Sequence, residues 1–60
     1  MRRVSVSMRR LESYLGYTKE ALERHDLIDA LAHLAEVAEI SRRLWSEIQS
    51  IITNSTAAQP

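Results

Sequence analysis

The uninterrupted run from Leu27 to Ile52 constrains this chain more than any other feature. It holds neither Gly nor Pro, and its apolar residues recur at helical spacing. Leu27, Leu31, Leu34, Ala38, Ser41, Trp45, Ile48 and Ile52 follow alternating steps of four and three, and Ala30, Leu34, Val37, Ser41, Leu44, Ile48 and Ile51 form a second, overlapping set. Side chains three and four apart are neighbours on an α-helix, so each set makes a stripe. Two adjoining stripes are wider than a dimeric coiled-coil seam, which predicts burial against more than one helix. The opposite row carries Asp29, His33, Glu36, Arg43, Glu47 and Ser50, with Ile40 as its apolar exception. Asp26 reads as the N-cap, and Asp29 adds negative charge where the helix dipole favours it. The β-branched run Ile51-Ile52-Thr53, followed by Asn54-Ser55-Thr56, predicts an end near Thr53.

The preceding half supplies a partner. Val4, Met8, Leu11, Leu15, Thr18, Leu22 and His25 keep the same rhythm and predict a helix over about residues 3–24, with Arg2, Arg3, Arg9, Arg10, Ser13, Glu20, Glu23 and Arg24 mostly on its other side. Gly16 lies inside this helix at a cost of about 1 kcal/mol relative to Ala. It marks a close backbone approach, a weak point, or the place after which the helix begins. Residues 1–7 also admit a strand, because Val4 and Val6 alternate with Ser5 and Ser7, or a less ordered arm. Arg24-His25-Asp26 is the only link, and a link that short makes the helices antiparallel neighbours. The expected fold is all-α: a helical hairpin over residues 1–53, with a turn at 24–26, a second helix over 27–53 and a disordered tail over 54–60.

Arg2-Arg3-Val4-Ser5-Val6-Ser7 resembles the opening strand of ribbon-helix-helix DNA-binding proteins. That layout needs a short helix, a turn and a second helix, whereas the next break here falls near His25. Leu15-Gly16, Ala30 and Ala38-Glu39-Ile40 resemble parts of one tetratricopeptide repeat, with an insertion in the spacing and a single copy. A hairpin that pairs with a second copy also resembles the small plasmid RNA-binding hairpin dimers that regulate copy number. That likeness is of shape alone and implies no residue roles.

A chain of 60 residues allows one small domain. Domains of this size usually need disulfides, a metal or oligomerisation. Without cysteine, disulfides and thiolate metal sites are excluded. No apolar run reaches membrane-spanning length, and Met1-Arg2-Arg3-Val4-Ser5 lacks the apolar stretch of a signal peptide. A cytoplasmic protein without membrane contact is the expectation, so the glycosylation pattern Asn54-Ser55-Thr56 reads as coincidence. That leaves oligomerisation: a homodimer forming an antiparallel four-helix bundle, or pairing with another helical protein. Leu11, Leu15, Leu31, Leu34, Val37, Leu44, Trp45 and Ile48 are the expected interface. Trp45 is expected as a core anchor at the open end or as a partner contact, with Tyr14 and Tyr17 at the border between core and solvent or at the subunit contact.

Formal charge is zero, yet it is unevenly placed. Residues 19–39 carry six acids against Lys19 and Arg24, about −4 by counting. Arg2, Arg3, Arg9, Arg10, Arg42 and Arg43 against Glu12 and Glu47 leave about +4 at the other end. The first expectation is that the ends pair between two copies. The second is that the arginines meet an anionic partner: RNA, DNA or an acidic protein surface.

Catalytic chemistry finds little footing. Asp29, His33 and Glu36 stand one turn apart, but di-iron bundles use Glu-x-x-His in the other order and facing inward. No metal and no cofactor are expected. Ser41 has no base spaced to activate it and is expected to bond the carbonyl one turn earlier. With no phosphate loop, triad or paired carboxylates, the chain reads as non-catalytic.

Overall fold

The structure, a computed structural model, describes residues 2–57, with side chains through Ser55. Two α-helices follow one another, α1 (Arg2–Glu23) and α2 (Leu27–Ala57), packed as an antiparallel hairpin. Helix begins at Arg2 and runs through Gly16. This overturns the strand alternative for the first residues, and with it the ribbon-helix-helix layout. A lone strand would leave its backbone groups unpaired, whereas in the helix Ser7 turns inward to a partner. A Cβ built on Gly16 meets nothing within 4 Å, so close packing does not explain this glycine. α2 continues to Ala57 rather than ending near Thr53, since β-branching lowers helix propensity only slightly. The expected tail is therefore helical over 54–57, and 58–60 lie outside the described residues.

The link closes by a Schellman arrangement. The His25 N–H donates to the Leu22 carbonyl (3.0 Å), and the Asp26 N–H to the Ala21 carbonyl (2.9 Å). His25 takes the left-handed conformation this cap requires, with φ 61°. Asp26 then caps α2. Its Oδ1 accepts from the Asp29 N–H at 3.0 Å, and its carbonyl accepts from the Ala30 N–H at 3.0 Å. One residue thus finishes the first helix and starts the second.

The seam is formed by Val4, Ser7, Leu11, Tyr14, Thr18 and Ala21 against Ala30, His33, Val37, Ile40, Leu44 and Glu47. Its content is small or polar at most levels, and only Ala21, Ala30 and Ile40 are buried hydrophobics. Thr18 satisfies its hydroxyl by donating to the Tyr14 carbonyl at 2.8 Å, the bond that had been expected of Ser41. Three expectations for α2 need correction. Ile40 is not an exception on a wet row but the largest of the buried apolar side chains, at 5% exposure. His33 and Glu47 are half-buried in the seam instead of facing water. Trp45 is 65% exposed, not a core anchor among the described residues.

The molecule measures 55 × 15 × 10 Å, with a radius of gyration of 15.2 Å, against about 10 Å for a compact chain of this length. It is one layer thick. Among the described residues no helix is long and apolar enough to cross a membrane.

Candidate interaction faces

The seam positions determine what lies on either side of it. Arg10, Tyr17 and Arg24 stand three residues after the seam positions Ser7, Tyr14 and Ala21, and with Arg3, four before Ser7, they form one flank, while Met8, Leu15 and Leu22 lie on the other. Contacts across the seam show which flank of α2 each one meets. The Arg24 guanidinium donates to Asp29 Oδ2 at 2.9 Å. Tyr17 lies against His33 with ring centroids 5.6 Å apart. Arg3 and Arg10 share a groove with Arg43. In an antiparallel pair, once these flanks meet on one side, the remaining flanks meet on the other. Met8, Leu15 and Leu22 therefore share a face with Leu27, Leu34, Ser41 and Ile48.

That second face is apolar and open. Beside its α2 members lies the row Leu31, Ala38, Trp45 and Ile52, one helical step further out. Met8, Leu15, Leu22, Leu27, Leu31, Leu34, Trp45, Ile48 and Ile52 are all exposed. At the open end Trp45, Ile48, Gln49, Ile52 and Thr53 bound a groove of about 290 Å³ on α2 alone. The expected interface residues thus divide. Leu15, Leu31, Leu34, Trp45 and Ile48 lie on the open face, while Leu11, Val37 and Leu44 are half-buried in the seam. Met8 and Leu22 were visible in the first-helix periodicity, but not which of its members would face outward.

The polar face runs from acidic near the turn to basic at the open end. Near the turn Asp29 holds Arg24, and its Oδ1 lies 3.3 Å from His33 Nε2. Tyr14 and Tyr17 meet edge to face at 5.7 Å and box the His33 ring. Tyr14 is half-buried at the edge of the seam and Tyr17 is exposed beside it. The Asp29 carboxylate is thus engaged by Arg24 and His33. Among the described residues no group of three His, Cys, Asp or Glu comes together to hold a metal. At the open end Arg2, Arg3, Val6, Ser7, Arg10, Arg43 and Glu47 line a shallow groove of about 230 Å³. Arg9 and Arg42 are not part of it. They occupy the outer edges of their helices, so the six-arginine set divides into a convergent four and two outliers. The sequence carried no signal for Glu47, whose Oε1 accepts from the buried Ser7 hydroxyl at 2.8 Å.

Comparison with protein-family models, with curated proteins and with solved structures finds no match for this chain.

Proposed function

We propose that the chain is a non-catalytic, self-associating module. Two hairpins lay their apolar faces together as an antiparallel four-helix bundle, and the assembled bundle works through protein contacts as a cytoplasmic assembly or regulatory factor. The observation that carries this reading is an inversion of the usual order: of the side chains buried in the intrachain seam only Ile40 is large and apolar, while most of the large apolar side chains lie exposed outside it.

Areas point the same way. The chain exposes 5059 Å², where a folded monomer of 6.9 kDa is expected to expose about 4,000 Å². The excess, about 1,000 Å², is close to the roughly 800 Å² each partner contributes to a standard stable interface. Large apolar side chains left exposed together on one face mark an interaction surface. Charge selects the orientation. Turns at opposite ends bring each acidic end beside an arginine end, whereas turns together would oppose like charges. Ala38 and Ser41 at the middle of the face leave room for two hairpins to approach where they cross.

Sedimentation at several concentrations tests the reading. A species of twice 6.9 kDa, about 13.8 kDa, with a melting temperature that rises with concentration, is expected. Leu31→Glu with Trp45→Glu should abolish the larger species. A folded monomer that keeps its stability on dilution would overturn the proposal.

A further inference from the structure

We infer that the groove bounded by Arg2, Arg3, Arg10 and Arg43 is an anion site that takes the phosphate backbone of a nucleic-acid duplex, without reading its bases. The inference does not depend on self-association.

Four guanidinium-bearing side chains converge on one open groove from two helices. Among the described residues none of the four makes an ion pair. The single carboxylate in the groove, Glu47, accepts the Ser7 hydroxyl at Oε1 and offsets one of the four positive charges, leaving the groove net positive. Glu39, one helical turn before Arg43, and Glu12, two residues after Arg10, are the nearest other acids in sequence, and neither makes an ion pair among the described residues. The acids at the turn itself are remote. Arg10 and Glu23 are thirteen residues apart on α1, about 20 Å at 1.5 Å per residue, twice the distance over which salt screens surface charge. α1 also begins here, with its positive end, no acid in its first turn and two arginines in it. An incoming anion would neutralise the arginines and meet the free backbone N–H groups together.

The surroundings narrow the anion. Guanidinium forks match phosphate oxygens bidentately. No aromatic side chain lines the groove, so unpaired bases would find nothing to stack on, which favours a paired backbone. A lipid surface fits less well. Membrane-lying helices carry basic residues beside their apolar face, whereas this groove opens on the side of the hairpin opposite the apolar face. For the same reason a second copy docked on the apolar face leaves the groove uncovered.

Titration of the full chain with a fluorescently labelled 20-base-pair duplex at several salt concentrations tests the inference. Four phosphate contacts predict a log–log salt slope of about −3.6, or an affinity loss of about 150-fold between 50 and 200 mM salt. Arg10→Gln with Arg43→Gln should reduce the slope by about 1.8 and the affinity about 60-fold at 100 mM salt. Arg9→Gln with Arg42→Gln removes the same charge outside the groove and should leave the slope within about 0.5 of the parent. Equal losses in the two pairs, no binding at 50 mM salt, or tighter binding to phosphatidylserine vesicles or polyglutamate than to the duplex would each overturn it. Light scattering on the same samples reports self-association separately, so failure of one idea leaves the other readable.

Discussion

The Ser7 hydroxyl donates a 2.8 Å hydrogen bond to Glu47 Oε1, joining residues forty positions apart across the open end of the hairpin. The two ends of this bond differ. Ser7 is buried, whereas Glu47 is half-exposed and keeps access to water. Removing the acceptor strands a buried donor, while removing the donor leaves a carboxylate that water can solvate. Glu47→Ala should therefore cost about 1–2 kcal/mol, and Ser7→Ala less than about 1 kcal/mol. Urea unfolding of both variants checks the order, and a costlier Ser7→Ala would contradict it.

Asp26 carries two duties in the turn, receiving the end of α1 and capping α2 through the Asp29 N–H. Asp26→Ala keeps the first, a backbone bond, and loses the second. The expected loss is about 1 kcal/mol, measured as a lowered melting temperature by circular dichroism. Asp26→Asn retains the cap and should stay close to the parent.

His25 occupies the left-handed region with a side chain that resists it. His25→Gly removes the clash while keeping both Schellman bonds, and should stabilise the hairpin by about 1 kcal/mol. His25→Val should destabilise it, because a β-branched residue tolerates positive φ least. If the two variants melt alike, the cap geometry is not what holds the turn.

Gly16 offers a second gain. Its missing Cβ would point into open space, so Gly16→Ala should add about 0.5–1 kcal/mol through helix propensity alone. A loss of association in that variant would instead place Gly16 in a contact between copies.

Ile40 and Leu31 separate the seam from the open face. Ile40→Ala opens a cavity in the seam and should cost about 2–5 kcal/mol, enough to unfold much of a small domain. Leu31 is 69% exposed within the chain, so Leu31→Ala should matter only through association. Its melting temperature should approach the parent's on dilution, while that of Ile40→Ala stays low at every concentration.

Much of the architecture was legible in the residues. The unbroken run after Leu27, the matching rhythm from Val4 to Leu22 and the single break at Arg24-His25-Asp26 specify two helices and their antiparallel course, and Asp26 was recognisable as a cap. The candidate sites were less legible. Periodicity states that Leu34, Val37 and Ile40 lie at particular angles around α2, but not which angle meets α1. With apolar residues around more than half of the helix, several rotations satisfy the pattern equally well.

The tertiary structure decided the rotation. A three-residue turn brings the helices together with Ala21 and Ala30 buried between them, and Leu22, Leu27 and Leu31 are left facing outward. The same rotation carries Ile40, His33 and Glu47 into the seam and leaves Trp45 outside it. It also brings Arg10 and Arg43 to one groove while sending Arg9 and Arg42 to opposite edges. The helices and their order followed from the sequence alone, because helical periodicity and a short link are local properties. Which stripe is dry and which arginines converge depends on how closely two particular helices can approach, and that distance is settled by side chains far apart in the chain.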